Sequence, residues 1–379
     1  MTPVTARQLN RATLARQLLL EREPLGVVDA VRRVTALQAQ EPVSPYVALW
    51  NRVAAFDPSD LDRAFEDRTI VKATLMRITL HTVAVEDYPP FQRAMLRNLR
   101  ASRLHDRRFE STRMTIDDID ELVPPLLRFI SAPRTRTEIE GLLADYLGQE
   151  PDKHVWWAMR TFAPLLHAPT GGPWSFTVTA PAYQAAPLDP DWDDPEVALQ
   201  QLIWRYLEAF GPASAADFAQ FALQRQTEIR PALEGMADRL VRIAGPNGTK
   251  LLDVPGGLIP GDDTPAPPRL LPMWDSTLLA YKDRTRIIPE KYRKLIIRRN
   301  GDVLPTLVVD GFVVGVWRLV EGGIEVSAFH PLSEDTWQGL AEEAASLLAM
   351  LADREPTLYS RYRNWWGEMP FEERRVLSG

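Results

Sequence analysis

Two stretches of this chain, roughly eighty residues apart, are written in the same local grammar, and that repetition narrows the possible folds more than any other feature. Pro133-Arg134-Thr135 leads into a helical pattern with Glu138 three residues after Thr135, and Pro212-Ala213-Ser214 leads into another with Asp217 three residues after Ser214. A hydroxyl that accepts from the third helical N–H, answered by a side-chain acceptor at that third position, satisfies two otherwise orphaned donors. In each copy a helix precedes the proline, a short turn follows, and a capped helix begins, which is the order of a helix–turn–helix. The first copy continues through a helix near 155–166 into Gly171-Gly172-Pro173 and a strand-like segment at 174–179. The second continues through a helix near 229–241 into Pro246-Asn247-Gly248 and a strand-like segment at 250–254. Asn-Gly between apolar runs signals a hairpin. Helix, turn, helix, helix, hairpin is the order of a winged helix.

The first part of the chain supports a third copy. Leu14 and Leu18, then Val27, Val28, Val31, Val34 and Leu37, predict two helices separated by Pro24, with Pro42 and Pro45 bracketing the end of the second. A helix is expected near 46–53, and Asp57-Pro58-Ser59 with Asp62 opens another. The β-branched run at 69–85 predicts a hairpin. After a Pro/Gly-rich loop at 255–272 come β-type segments at 286–288, 295–298, 306–309 and 312–319, with Asp310-Gly311 as a hairpin turn. A helix at 334–353 and an aromatic, basic tail close the chain, its Trp365-Trp366 pair reading as packing. The expected fold class is α+β: three tandem winged-helix units at 1–120, 121–190 and 191–379, the last with additional C-terminal β structure.

Composition bounds the chemistry. At 379 residues the chain exceeds what one core usually supports. The absence of cysteine excludes disulfides, thiolate catalysis, Cys-type zinc and iron–sulfur clusters. No apolar run is long enough to span a membrane and no apolar signal core is visible, so a cytoplasmic protein is expected. The net charge of −7 hides a segregated pattern. Seven arginines lie from Arg93 to Arg113 and eight basic residues from Lys282 to Arg299, while acidity collects at 117–121 and 189–196. Solvated helix faces explain such runs, and they also permit a nucleic-acid face.

Familiar catalytic signatures are absent: no Walker loop, no nucleophile elbow, no HExxH pair. The five histidines (81, 105, 154, 167 and 330) are scattered, so no metal and no organic cofactor are expected. Attention falls on Leu37-Gln38-Ala39-Gln40-Glu41-Pro42. Two glutamines on alternate residues share one side only in an extended chain, and Pro42 disfavours the α conformation at Glu41. On pattern alone, two polar residues leaving a helix is the simpler reading.

Gln38-Ala39-Gln40 with Pro42, Tyr46 and Trp50 resembles the start of the AlkZ/YcaQ-like winged-helix DNA glycosylases. So do Met76-Arg77-Ile78-Thr79-Leu80-His81, Leu271-Pro272 with Asp275, and Asp310-Gly311 with Gly315, Trp317 and Arg318, in that order over most of the chain. The resemblance implies three winged helices around a DNA-binding channel, and hydrolysis of the N-glycosidic bond of N7-alkylated guanine in double-stranded DNA, including unhooking of interstrand crosslinks. The Gln-x-Gln form resembles the branch associated with self-resistance to azinomycin-type crosslinkers. Glutamine does not titrate usefully, but it orients water, and a cationic N7-alkylguanine leaves without a general acid.

Gln38 and Gln40 are therefore the expected catalytic pair, with the neighbouring carboxylate of Glu41 as a rival. Arg77, His81, Phe312 and Arg318 are expected to contact DNA, Arg77 and His81 from one strand face and Phe312 as an apolar wedge at a hairpin tip. No Schiff-base lysine motif is visible, so a monofunctional enzyme, acting as a monomer, is expected. A non-catalytic winged-helix regulator and a drug-sequestering resistance protein are the alternatives.

Overall fold

The computed structural model describes residues 3–352, 354, 358–360, 362, 365 and 369–379. Helix α1 (Ala6–Arg16) opens on Thr5, whose hydroxyl accepts from Gln8 N while Gln8 Oε1 accepts from Thr5 N, each at 3.0 Å. A first repeat follows: α2 (Val27–Arg33), β1 (Leu37–Gln38), α3 (Ser44–Trp50), α4 (Pro58–Glu66), β2 (Ile70–Thr74) and β3 (Leu80–Ala84). Helices α5 (Tyr88–Leu104) and α6 (Arg107–Glu110) lead to the second: α7 (Ile116–Phe129), β4 (Arg134–Thr135), α8 (Arg136–Leu147), α9 (Lys153–Phe162), β5 (Leu165–Ala168) and β6 (Ala182–Ala185). The third is α10 (Pro195–Phe210), α11 (Ala215–Ala222), α12 (Gln226–Gly235), β7 (Val241–Ala244) and β8 (Lys250–Asp253), with an isolated bridge from Ala213 to Leu252 where the short strand stands in the other two.

The remainder is β9 (Arg269–Leu271), α13 (Glu290–Ile296), β10 (Thr306–Val309), β11 (Phe312–Val320), β12 (Gly323–Ala328), α14 (Glu334–Leu351) and β13 (Glu373–Leu377). Both expected capping boxes are present, at Thr135/Glu138 and Ser214/Asp217. The cap of α4 is Asp57, which accepts from Ser59 N, rather than Ser59 with Asp62.

Sheet pairing joins the first two repeats. Strands run in the order β1-β3-β2-β5-β6-β4, so one antiparallel sheet spans both, through the pairing of Lys72 with His167. The later strands form an antiparallel sheet in the order β13-β12-β11-β10-β9. One core combines residues of α2, α3 and α4 with this second sheet and α14; Val31, Tyr46, Leu61, Trp317 and Leu340 all lie in it. A second core lies among β2, β3, α5 and the third repeat, and a third inside the second repeat.

Other local expectations also fail, beginning with the helix near 155–166, which ends at Phe162 and leaves Leu165 and Leu166 in β5. Leu37 leaves its helix to pair with Thr82. The segment 174–179 is a loop, because Trp174 and Phe176 turn inward onto Tyr46 and Phe65 at ring separations of 5.1 and 4.8 Å. Residues 286–288 are not a strand but the end of a helical turn, followed by buried Ile287 and Ile288. The apolar run 295–298 begins inside α13, with Ile297 in a single bridge to Val303. Asp353 and Trp366 lie outside the described residues; Trp365 packs on Tyr362 at 4.5 Å.

Candidate active site

Strand β1 is two residues long, and side chains extend its ladder. Gln38 sits opposite His81, and Ala39 N donates to Leu80 O at 2.8 Å. Beyond that point the backbone turns toward Pro42, and Gln40 Oε1 accepts from Leu80 N at 3.0 Å, in place of a backbone carbonyl. Gln38 is buried and its Oε1 accepts from Arg77 Nη2 at 2.7 Å. Both donors require an acceptor, which fixes the orientation of both amides. Each Nε2 is then left without a hydrogen-bond partner among the described residues. The pair is held to present N–H groups, with one carbonyl lone pair each in reserve.

Arg77 lies in the turn between β2 and β3, where its backbone is left-handed (φ 53°), and so is that of Ile78 (φ 58°). The turn, rather than a shared strand face, brings Arg77 to His81: Arg77 Nη2 is 3.1 Å from His81 Nε2. His81 Nδ1 donates to Thr79 O at 3.0 Å, so Nε2 accepts and the ring is neutral. Burial, then the Arg77 charge, pushes the His81 imidazole down to about 3. Burial lowers Arg77 to about 9, helped by the field of Arg284. Arg77 has no carboxylate partner among the described residues, and its guanidinium lies 5.5 Å from the Phe221 ring centroid. A ring with no exposed surface thus meets Arg77, which in turn bonds Gln38.

Glu41, the rival carboxylate, is half-buried and accepts from the Tyr362 hydroxyl at 3.3 Å. Gln40 lines a cavity of about 230 Å³ together with Lys72, Leu80, Arg160, His167 and Phe176. Arg160, Val178, Pro181 and Tyr183 also line a larger groove of about 690 Å³, which adjoins the cavity. The groove carries Arg108, Arg136, Lys153, His154 and Trp157, and no carboxylate lines it. Lys153, His154, Trp157 and Arg160 follow the period of α9, a signal present in the sequence. The guanidinium carbons of Arg103 and Arg108 stand 4.0 and 4.2 Å from the Trp157 ring centroid. Of the arginine-rich run at 93–113, Arg108 lines the groove while paired with Asp106 at 2.7 Å, Arg100 is paired with Asp120 at 2.6 Å and Arg97 approaches Glu228 at 3.7 Å.

Phe312 and Arg318 stand elsewhere, on the five-stranded sheet. The hairpin tip at Asp310-Gly311 is fastened to α1: Asn10 Nδ2 donates to Gly311 O at 2.8 Å, Arg7 pairs with Asp310 at 2.8 Å, and Arg11 pairs with the same carboxylate. A Cβ on Gly311, whose φ is 81°, would run into Asn10, Arg11 and Leu14. The tip is packed rather than free, which removes the basis for a wedge at half-buried Phe312. Arg318 Nε holds its cross-strand neighbour Glu325 at 2.9 Å, so its charge is matched within the sheet.

Among the described residues no cluster of three or more histidine or acidic groups is placed to hold a metal ion. No described helix is long and apolar enough to cross a membrane.

Comparison with known proteins agrees with the motif order. A solved structure, Streptomyces sahachiroi DNA glycosylase AlkZ, superposes with a TM-score of 0.78 at 22% identity, covering 94% of this chain and all of that one. The chain is also 28% identical over 361 residues to an interstrand DNA cross-link repair glycosylase of Streptomyces sahachiroi, covering 89% of this chain and 94% of the relative. The family model described as DNA glycosylase AlkZ-like matches residues 31–350, and the chain belongs to that family.

Proposed function

We propose that this protein hydrolyses the N-glycosidic bond of N7-alkylated guanine in duplex DNA, and that by acting on guanines tied through N7 it unhooks interstrand crosslinks and protects a cell exposed to such an alkylator. The observation that carries the reading is the pair Gln38 and Gln40, oriented by Arg77 and by Leu80 N, with Gln40 lining a cavity that shares Arg160 with a neighbouring groove of basic residues. Neither amide takes up a proton, and His81 is neutral with both nitrogens engaged. That suits a leaving group that needs none. The C1′–N9 bond breaks with its electron pair passing to the cationic base. Water adds to C1′ and releases its proton to solvent. The amides hold that water by donating N–H to its lone pair and accepting O–H on the free carbonyl lone pair, so the gain is orientation rather than acid–base transfer.

Each repeat has the element order of a winged helix, and we assign one such unit to each of the three expected regions, with the second starting at Ile116, where α7 begins, rather than at 121, and one chain sufficient to hold the duplex. The third helices differ in charge. α4 carries Asp60, Asp62 and Glu66 against Arg63, and α12 carries Glu228 and Glu234 against Arg230, whereas α9 carries only positive or neutral groups. Acidic third helices suit a sequence-reading regulator poorly, because that face meets phosphates and base edges.

Single-turnover incubation with a duplex containing N7-methylguanine, followed by alkaline cleavage at abasic sites, tests the reaction. Strand breaks at the lesion are expected; their absence with methyl and with a crosslinked N7 adduct alike overturns the assignment. The groove is tested separately. Arg160→Ala and Lys153→Ala together should flatten the dependence of log affinity on log salt by about 0.9 per lost phosphate contact. An unchanged slope removes α9 from the interface.

A further inference from the structure

We propose that Lys72 is a second reactive group of this protein, whose amine condenses with the aldehyde of an abasic site and retains the product of base removal as an imine. The inference rests on the glycosylase reading, since an abasic deoxyribose is what base removal leaves behind.

The chain has six lysines, and five of them (153, 250, 282, 291 and 294) are exposed; Lys72 is 4% exposed. Its burial comes from its place in the sheet, where β2 runs between β3 and β5 and Lys72 stands opposite Thr82 on one side and His167 on the other. The ammonium makes no hydrogen bond or salt bridge to the described residues; Nζ rests 4.5 Å from the centroid of the Phe176 ring. That cation–π contact offsets only part of the cost of burying the charge. Lys72 and Gln40 line the same cavity.

The surroundings favour a neutral, nucleophilic form. Burial pushes the Lys72 amine down to about 8, against the opposing field of Glu41. His167 beside it is held neutral, its imidazole pushed down to about 3 by burial and by the charges of Lys72 and Arg160. Near neutral pH the unprotonated fraction is then on the order of a hundredfold above that of an exposed lysine. Arg160 adds a positive charge to the cavity wall, which suits the phosphates that flank the lesion.

The step balances without a further reactant. The lone pair of the neutral Nζ adds to C1′ of the ring-opened sugar, the two N–H protons pass to the former carbonyl oxygen, which leaves as one water, and a C1′=Nζ imine remains. Addition of water reverses it, releasing the aldehyde and the free amine.

The test uses the whole protein, a duplex with a preformed abasic site, and cyanoborohydride, which reduces an imine to a stable secondary amine. A covalent protein–DNA species is expected on denaturing gels. Its yield should rise with pH through a midpoint near 8, and peptide mass mapping should place the modification on Lys72. Lys72→Arg should lower the yield at least tenfold, with a melting curve to establish that the variant folds; if it does not fold, mapping on the native protein decides. No species above the undamaged-duplex control, or modification at another lysine, overturns the proposal. Because the abasic site is supplied, trapping does not depend on base removal. A protein that traps but does not excise N7-methylguanine, or excises but does not trap, separates this inference from the glycosylase reading.

Discussion

A protein carrying Gln38→Ala and Gln40→Ala together should release N7-methylguanine on the order of a hundredfold more slowly than the native protein in single turnover, with each single change costing about tenfold or more. The rate constant is to be read at saturating enzyme, with duplex affinity measured alongside, so that lost binding is not mistaken for lost chemistry. Gln40→Glu adds a sharper arm. A carboxylate still accepts from Leu80 N but cannot donate, so a fall comparable to that of alanine identifies the amide N–H as the working group. An unchanged rate in the double variant removes the pair from the mechanism and returns attention to Glu41.

The largest expected effect on stability lies away from the site. Arg52 at the end of α3 and Asp275 beyond β9 have no exposed side-chain surface, and they meet in two hydrogen bonds of 2.9 Å each, with Arg52 also reaching Thr277 Oγ1 at 3.2 Å. Asp275→Ala leaves a buried guanidinium without its counter-ion, and denaturant unfolding should show a loss of about 3–5 kcal/mol. Replacing both partners together, by Arg52→Met and Asp275→Leu, should recover part of it, because the pair's own net contribution is small once desolvation is counted. Burial by itself would raise the Asp275 carboxyl, but the Arg52 charge and the hydrogen bonds from Arg52 and Thr277 outweigh it and hold the group below its ordinary value. A carboxyl lowered in the folded state stabilises above its unfolded pKa, and that contribution is lost as pH falls through the folded one. The gap between native protein and Asp275→Asn should therefore be widest near neutrality and close in acid. A gap that does not change with pH would detach the effect from ionisation.

Local chemistry was legible in the sequence and distant pairing was not. Thr135 with Glu138 and Ser214 with Asp217 declare their helices within four residues, and Asn247-Gly248 and Asp310-Gly311 declare their turns, with positive φ at all four positions. The run at 295–298 looks like a strand because its neighbours are apolar, yet it lies at the end of a helix that starts after Pro289. Trp174 and Phe176 alternate as a strand would, and only the presence of Tyr46 and Phe65 more than a hundred residues earlier turns them inward. At the site, Gln38 and Gln40 stand out by motif, while the reason their amides point as they do requires the pairing of β1 with β3 and the left-handed turn at Arg77. Lys72 carried no local signal at all. Its seclusion follows from the register that sets residue 72 beside residue 167, which no window along the chain contains.

The fastening of α1 has a consequence for how the chain reaches this shape during synthesis. Asn10 and Gly311 bond across 301 positions, and Arg16 and Asp253 across 237. At translation rates of about 5–20 residues per second, helix α1 is made roughly 15 to 60 seconds before its last partners emerge. The ribosome therefore presents an early segment whose arginines and apolar face wait for sequence not yet written. Folding that depends on such late closure is slow and leaves that face open to other chains. A nascent protein of this kind stands to gain from chaperone cover at its beginning more than at its end.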